Sequence, residues 1–196
     1  MLILVRHGQT AIKAGGLLQG RIDPDLDDTG RAQAAALAAA LSGRHPSALV
    51  VSSPLMRARQ TADAIAAALG VSVDVDARFI ELDYGDFDGK AMHDISDETW
   101  ALWRRDPAFT PPGGESLVDL DRRVQPALEE WSPTAAERDV IVVSHVSPIK
   151  SAVTWALGTG PESTWRCSLD RASVTTFAVG ARGASLTGFN DTSHLR

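Results

Sequence analysis

Residues 2–8 read Leu2-Ile3-Leu4-Val5-Arg6-His7-Gly8, an apolar run passing straight into an arginine, a histidine and a glycine. The run is continuous rather than alternating, which is the pattern of a strand inside a sheet covered on both faces. Two later stretches repeat the arrangement. Ala48-Leu49-Val50-Val51 leads into Ser52-Ser53-Pro54-Leu55-Met56-Arg57, and Val140-Ile141-Val142-Val143 leads into Ser144-His145. In open α/β sheets, ligands bind beyond the carboxyl ends of the strands. As parallel neighbours, these three strands would bring two histidines and two arginines to one mouth.

Helical patterns lie between the strands. The run Ala32 to Leu41 is rich in Ala and Leu, with Thr29 as the expected N-cap and Gly43 as the expected stop. After Pro54, apolar residues recur at three- and four-residue spacing from Leu55 to Leu69, and Gly70 ends the pattern. Further helices are expected over Asp97 to Arg105, Ser116 to Trp131 and Pro148 to Leu157. Short β-like segments fall at Ser72 to Val75, Trp165 to Leu169, Ser173 to Val179 and Ala184 to Phe189, the last of them suited to an edge hairpin. The alternation predicts a three-layer α/β/α fold with a mostly parallel central sheet, residues 1–196 forming a single domain.

Composition limits the function. A hydrophobic fraction of 44% with 22% charged residues excludes a disordered or fibrous chain. The balance of 19 basic against 25 acidic residues, a net charge of −6, argues against a nucleic-acid or anionic-membrane partner. One cysteine, Cys167, makes no internal disulfide, and no apolar stretch reaches the length of a membrane span. With no signal-peptide pattern at Met1–Arg6 either, a cytoplasmic protein is expected.

A cationic pocket on an acidic protein points to phosphate. Arginine meets phosphate oxygens with a planar fork of donors and keeps its charge. Histidine can serve as a nucleophile on phosphorus or as a cation beside it. Phosphoryl transfer also needs a proton for the leaving oxygen, which a carboxyl can supply. The acidic loop Glu81-Leu82-Asp83-Tyr84-Gly85-Asp86-Phe87-Asp88-Gly89 holds the candidates, and spacing does not choose among Glu81, Asp83, Asp86 and Asp88. Singly, each residue has a plainer reading: a strand-end histidine is usually a structural hydrogen-bonder, and Arg57 or Arg59 a solvated charge. Their joint placement raises the chemical reading. His45, His93 and His194 have no such context and are read as structural or surface residues.

Arg6-His7-Gly8-Gln9-Thr10 resembles the signature of the histidine phosphatase superfamily, also called phosphoglycerate mutase-like. Companion motifs follow in order: Gln19-Gly20-Arg21 with Asp23; Ser52-Ser53-Pro54-Leu55 with Arg57; Glu81 with Gly85 and Gly89; Pro112-Gly113-Gly114-Glu115-Ser116; and Val143-Ser144-His145. The resemblance implies a phosphoglycerate mutase-like fold, with His7 as the nucleophile that becomes phosphorylated. It implies Arg6, Arg57 and a cationic His145 as the rest of the phosphate pocket, and Glu81 as general acid and base. It also selects Arg57 over Arg59, and places Gln19 and Gly20 where relatives contact substrate. Lys13 stands where the family commonly has an asparagine that touches phosphate. Val146-Ser147-Pro148 replaces a Gly-Gly pair, so Val146 is expected to shape the pocket wall. Tyr84 is expected on the leaving-group side, with Trp100 and Trp103 there or in the core.

The implied activity is hydrolysis of a small phosphorylated metabolite through a phosphohistidine, with no metal or cofactor. The alternatives are a cofactor-dependent phosphoglycerate mutase, whose relatives are typically longer, and a non-catalytic phosphate-binding module. A metallohydrolase is disfavoured because no His-x-x-x-His or His-Glu-x-x-His spacing occurs.

Overall fold

A computed structural model describes residues 1–196. In chain order the elements are β1 (Leu2–Arg6), the one-turn helix α1 (Ala11–Ala14), α2 (Asp28–Arg44), β2 (Leu49–Ser52), α3 (Met56–Leu69), β3 (Val73–Val75), α4 (Asp97–Arg105), α5 (Leu117–Glu137), β4 (Val140–Ser144), α6 (Val146–Leu157), β5 (Val174–Gly180) and β6 (Gly183–Asp191). The strands form one sheet in the order β3-β2-β4-β1-β5-β6. β1, β2, β3 and β4 pair in parallel, whereas β5 runs antiparallel to β1 and forms a hairpin with β6 at the sheet edge. This is the α/β architecture that the apolar runs predict.

Successive side chains of a strand point to opposite faces, and both faces here are covered. Leu2, Leu4 and Val142 pack with Leu120, Val124 and Leu128 of α5 and Ile149 and Ala152 of α6. On the other face Ile3, Val5, Ile141 and Val143 pack with Leu37 and Leu41 of α2 and Ala58, Ala62 and Ile65 of α3. Each fully buried Leu or Ile contributes roughly 1.5–3 kcal/mol through lost apolar surface. That is why the runs contain no polar residue until the strand ends. No helix is long and apolar enough to cross a membrane.

Four local expectations are corrected. α2 starts earlier than Thr29: the Asp27 carboxylate accepts from Gly30 N at 2.8 Å and also holds Gln9 Nε2, so Asp27 is the cap. Gly43 does not end that helix, which continues to Arg44, because one glycine costs only about 1 kcal/mol within an Ala-rich run. Residues Trp165 to Leu169 form no strand. A 3₁₀ turn over Pro161–Arg166 brings Trp165 edge-on to Trp100 and Trp103, at 6.4 and 5.9 Å between centroids. The helix after Ser116 also outruns expectation, reaching Glu137 through Pro126 and Pro133.

The loop after β1 crosses the first turn of α2 backbone to backbone. A Cβ on Gly8 would lie 2.5 Å from Gly30 O, and one on Gly30 would lie 2.1 Å from Gln9 O. Neither neighbour is a flexible side chain, so both positions require glycine. Gly30→Ala is expected to destabilise the protein by about 1–3 kcal/mol in urea unfolding, as forced overpacking does. A midpoint unchanged from wild type would show that the loop yields instead.

Candidate active site

The in-register parallel pairing of β1 with β4 sets the site. Leu2 lies opposite Val140 and Arg6 opposite Ser144, so the next residues, His7 and His145, leave adjacent strand ends at equivalent positions. Their ring centroids are 5.1 Å apart. β2 pairs with the other side of β4, and Arg57 enters from the first turn of α3, which follows β2.

His7 Nδ1 lies 2.7 Å from its neighbour's carbonyl, Gly8 O. A carbonyl only accepts, so this contact assigns the proton to Nδ1 and leaves Nε2 with a lone pair. Nε2 faces the Nε–H of Arg57 at 3.2 Å. Burial first, then Arg57 and Arg6, hold the His7 pKa well below its ordinary value of 6.5. The imidazole is therefore neutral and oriented, as a nitrogen nucleophile must be.

His145 differs from the expected cation. Burial first, then Arg57, also lower its pKa well below 6.5, so the ring is neutral. Its Nε2 lies 2.7 Å from Ser53 Oγ, and its Nδ1 is buried without a partner. A hydroxyl can donate or accept, so the ring proton sits on Nδ1 when Ser53 donates and on Nε2 when the ring does. Ser53, the residue after β2 ends and part of the Ser52-Ser53-Pro54-Leu55 motif, is thus a site residue whose role the motif alone does not disclose.

Glu81 is buried, and three backbone N–H groups donate to its carboxyl: Leu82 N at 2.8 Å and Ser147 N at 3.1 Å to Oε1, and Val146 N at 3.1 Å to Oε2. Val146 and Ser147 open α6, where first-turn N–H groups lack helical partners. Pro148 has no N–H to satisfy. The Val-Ser-Pro sequence therefore leaves two orphan donors, and Glu81 takes both, a negative group at the positive end of a helix. The other acids of its loop do different work. Asp88 accepts from Gly20 N, Arg21 N and Ile22 N at 2.7–2.8 Å, Asp83 pairs with Arg21, and Asp86 is exposed.

Arg57 is fully buried, donating to Ile22 O at 2.8 Å and Gly20 O at 2.7 Å. The Gly20–Ile22 loop is thus gripped through its carbonyls by Arg57 and through its amides by Asp88. A Cβ at Gly20 would come within 2.9 Å of Leu82 O, so the loop can pack this closely only with glycine. Arg6 donates to Leu169 O at 2.5 Å, leaving its Nε buried and unpaired. Burial lowers the Arg6 pKa to about 10, with Glu81 opposing, so it stays cationic at neutral pH. Gln19 Oε1 accepts from Thr10 at 2.7 Å, and its buried Nε2 has no partner. Arg59 forms no contact with these groups.

A cavity of about 550 Å³ adjoins this cluster, walled by Lys13, Tyr84, Trp100, Trp103, Val146 and Lys150. Val146 and Ser147 of α6 meet Lys13 and Tyr84 across it. Burial and Glu81 raise the Tyr84 pKa, which keeps the phenol protonated. His93, expected to be structural or surface, is exposed at the cavity edge, and Lys150, which no sequence motif marks, shares a helix face with Val146 at four-residue spacing. Another cavity, about 700 Å³ near Trp155 and Gly180, lies away from all of these groups. No group of three or more His, Cys, Asp or Glu side chains is placed to hold a metal ion.

Comparison with known proteins gives one consistent result. The family model described as histidine phosphatase superfamily (branch 1) matches residues 2–192. The bifunctional protein Rv2228c of Mycobacterium tuberculosis is 39% identical over 187 residues, which cover 94% of this chain but 51% of that protein. The chain thus spans about half the length of that curated relative. Phosphoserine phosphatase 1 of Hydrogenobacter thermophilus is 34% identical over 198 residues, covering 99% of this chain and 93% of that one. Among solved structures, mycobacterial glucosyl-3-phosphoglycerate phosphatase in complex with VO3 superposes with a TM-score of 0.89 at 31% identity, covering 97% and 99% of the two chains.

At pH 6.5, where an unperturbed imidazole is half protonated, ring nitrogen NMR is expected to show His7 neutral with its proton on Nδ1. An imidazolium spectrum, or a proton on Nε2, would contradict this geometry.

Proposed function

This chain belongs to the histidine phosphatase superfamily, branch 1, and from that premise we propose that it hydrolyses a small phosphorylated metabolite through a phosphohistidine at His7. One observation carries the reading: His7 Nε2 is an unprotonated, oriented nitrogen beside the buried Arg57. Residues 1–196 act as one catalytic unit in this proposal, since the first strand, β1, is paired between β4 and β5 from the second half of the sequence. The unpaired donors Arg6 Nε and Gln19 Nε2 support an oxyanion as the bound group, each being a donor without an acceptor.

In the first step the Nε2 lone pair of His7 attacks phosphorus, and the bond from phosphorus to the alcohol oxygen breaks. Glu81 transfers its proton to that oxygen as it leaves. Oε2 accepts only the Val146 N–H, which leaves it a lone pair to carry the proton. In the second step Glu81 accepts a proton from water, whose oxygen attacks the phosphohistidine, and the breaking N–P bond returns its electrons to Nε2. Charge spreads over three equatorial oxygens in each transition state. Arg6 and Arg57 stabilise it as fixed cations, and His145 contributes a neutral ring rather than a cation. Backbone N–H and carbonyl bonds pre-position Glu81 and Arg57, so little reorganisation accompanies reaction.

The substrate is a monoester of modest size. The relatives named above act on phosphoserine and glucosyl-3-phosphoglycerate, and small phosphorylated metabolites of that kind are the class proposed here.

The test is phosphate release from a panel of phosphomonoesters by wild type and two variants. His7→Ala is expected to abolish turnover, and Glu81→Gln to reduce it by about two to four orders of magnitude. Wild type, but not His7→Ala, should retain acid-labile, base-stable phosphate after denaturation, and chelator should leave the rate unchanged. Turnover without a labelled histidine overturns the covalent route. Isomerisation of phosphoglycerate in place of phosphate release would make the chain a mutase.

A further inference from the structure

The hairpin β5–β6 lies outside the parallel strands that carry the histidines, yet one irregularity ties it to them. Between the pairs Val174–Asp191 and Thr176–Gly188, β5 contributes one residue, Thr175, and β6 two, Phe189 and Asn190. This is a β-bulge, an extra residue that re-aims a side chain and is frequent beside active sites. Asn190 occupies it in the left-handed region at φ 55°, which asparagine tolerates better than most side chains. The re-aimed side chain makes a reciprocal pair with Asp170. Its Oδ1 accepts from Asp170 N at 2.7 Å, and its Nδ2 donates to Asp170 Oδ2 at 2.9 Å.

The peptide group held in this way has a second end. The Leu169–Asp170 unit is planar, so fixing its N–H also fixes the direction of Leu169 O. That carbonyl accepts from Arg6 Nη1 at 2.5 Å. A continuous row of hydrogen bonds thus runs from the Asn190 amide oxygen, through one peptide group, to the Arg6 guanidinium, and bonds in a row polarise one another. The same short loop holds the main chain of the nucleophile: Ala172 N donates to His7 O at 3.2 Å, and Ser173 O accepts from Arg6 N at 3.0 Å. Ala172 is fully buried and also left-handed, at φ 56°. Ala172 and Asn190 are the only residues besides glycine with positive φ, and such strain persists only where surrounding contacts over-determine it. Arg171 extends the grip to the loop after β1, donating to Gln9 Oε1 and to Lys13 O.

We infer that Asn190 is a positioning residue for phosphoryl transfer: through the Leu169–Asp170 peptide it holds the Arg6 guanidinium in place for the bound oxyanion. The inference rests on the phosphatase reading for the group that Arg6 receives. Asn190 acts through the loop and contributes no contact of its own to the phosphoryl group. Without its side chain the Asp170 N–H loses its partner, and the direction of Leu169 O is no longer fixed from outside the loop. The loss then falls on the hold of Arg6 on the phosphoryl oxygens, over which charge is spread in the transition state.

Calorimetric titration with orthovanadate, which needs no turnover, and hydrolysis of p-nitrophenyl phosphate test this on wild type, Asn190→Gly and the double variant Asp170→Asn/Asn190→Asp. Glycine accepts the left-handed backbone of the bulge, so Asn190→Gly removes only the side-chain pair. The double variant exchanges amide and carboxylate and can rebuild both bonds, one with its direction reversed. Asn190→Gly is expected to bind orthovanadate about tenfold more weakly than wild type and to show a kcat lower by a similar factor. The double variant should return to within about threefold of wild type in both. A purely structural role would lower the urea midpoint or the fraction of chains that bind, and leave the dissociation constant for orthovanadate at its wild-type value. That outcome overturns the inference, as does a loss that the exchange fails to restore. Should Asn190→Gly not fold, Asn190→Asp alone, which sets two carboxylates against each other, is expected to show the same loss, and wild-type affinity there overturns the inference. Weakened orthovanadate binding in Asn190→Gly, with no monoester turned over by wild type, would instead uphold Asn190 and overturn the phosphatase reading.

Discussion

Everything at the site depends on the register of two parallel strands. β1 and β4 pair so that Arg6 lies opposite Ser144, and the histidines that follow therefore meet over the sheet end. A slip of one residue would turn every side chain of a strand to the opposite face. Here that would exchange the partners of both layers: Leu2 and Leu4 face α5 and α6, while Ile3 and Val5 face α2 and α3. The apolar packing thus enforces the register, and the register enforces the chemistry. Core and site are one constraint seen at two ends of the same strands.

The second organising fact is how the site keeps positive charge without protonating its imidazoles. Burial disfavours any charged form, and a histidine can respond by giving up its proton, whereas an arginine hardly can. Arg6 and Arg57 remain cations and, together with burial, hold His7 and His145 neutral. The guanidinium of Arg57 is tied to two loop carbonyls and that of Arg6 to Leu169 O, as buried charges must be. A net charge of −6 over the chain is no obstacle, because the local field of the pocket is set by these few groups. The negative counterpart, Glu81, takes the two free donors of α6. Its position depends on a helix start that lies 65 residues away along the chain.

Much of this was legible in the sequence, and the exceptions have physical causes. The three apolar runs named their own strands, because only strands buried on both faces omit polar residues for that long. The clustering of His7, His145, Arg6 and Arg57 followed from the rule that ligands gather at strand C-termini. Glu81 could not be distinguished by spacing from Asp83, Asp86 and Asp88, since all four share one irregular loop. The fold separates them by partner: backbone amides of α6 for Glu81, the Gly20–Ile22 amides for Asp88, Arg21 for Asp83. Trp165 read as a strand residue because aromatic residues favour strands, but packing against Trp100 and Trp103 overrides that preference.

The sequence by itself determined the layer architecture, the strands that carry the site and the residue types able to hold a phosphoryl group. All of these follow from local periodicity and from the short distance between a strand end and the next few residues. Tertiary structure alone decided the protonation of the two histidines, the proton-bearing nitrogen of His7 and the role of each acid in the Glu81 loop. Those properties depend on burial and on partners distant in the chain, and no local pattern encodes the energy of a charge in surroundings that the rest of the fold supplies.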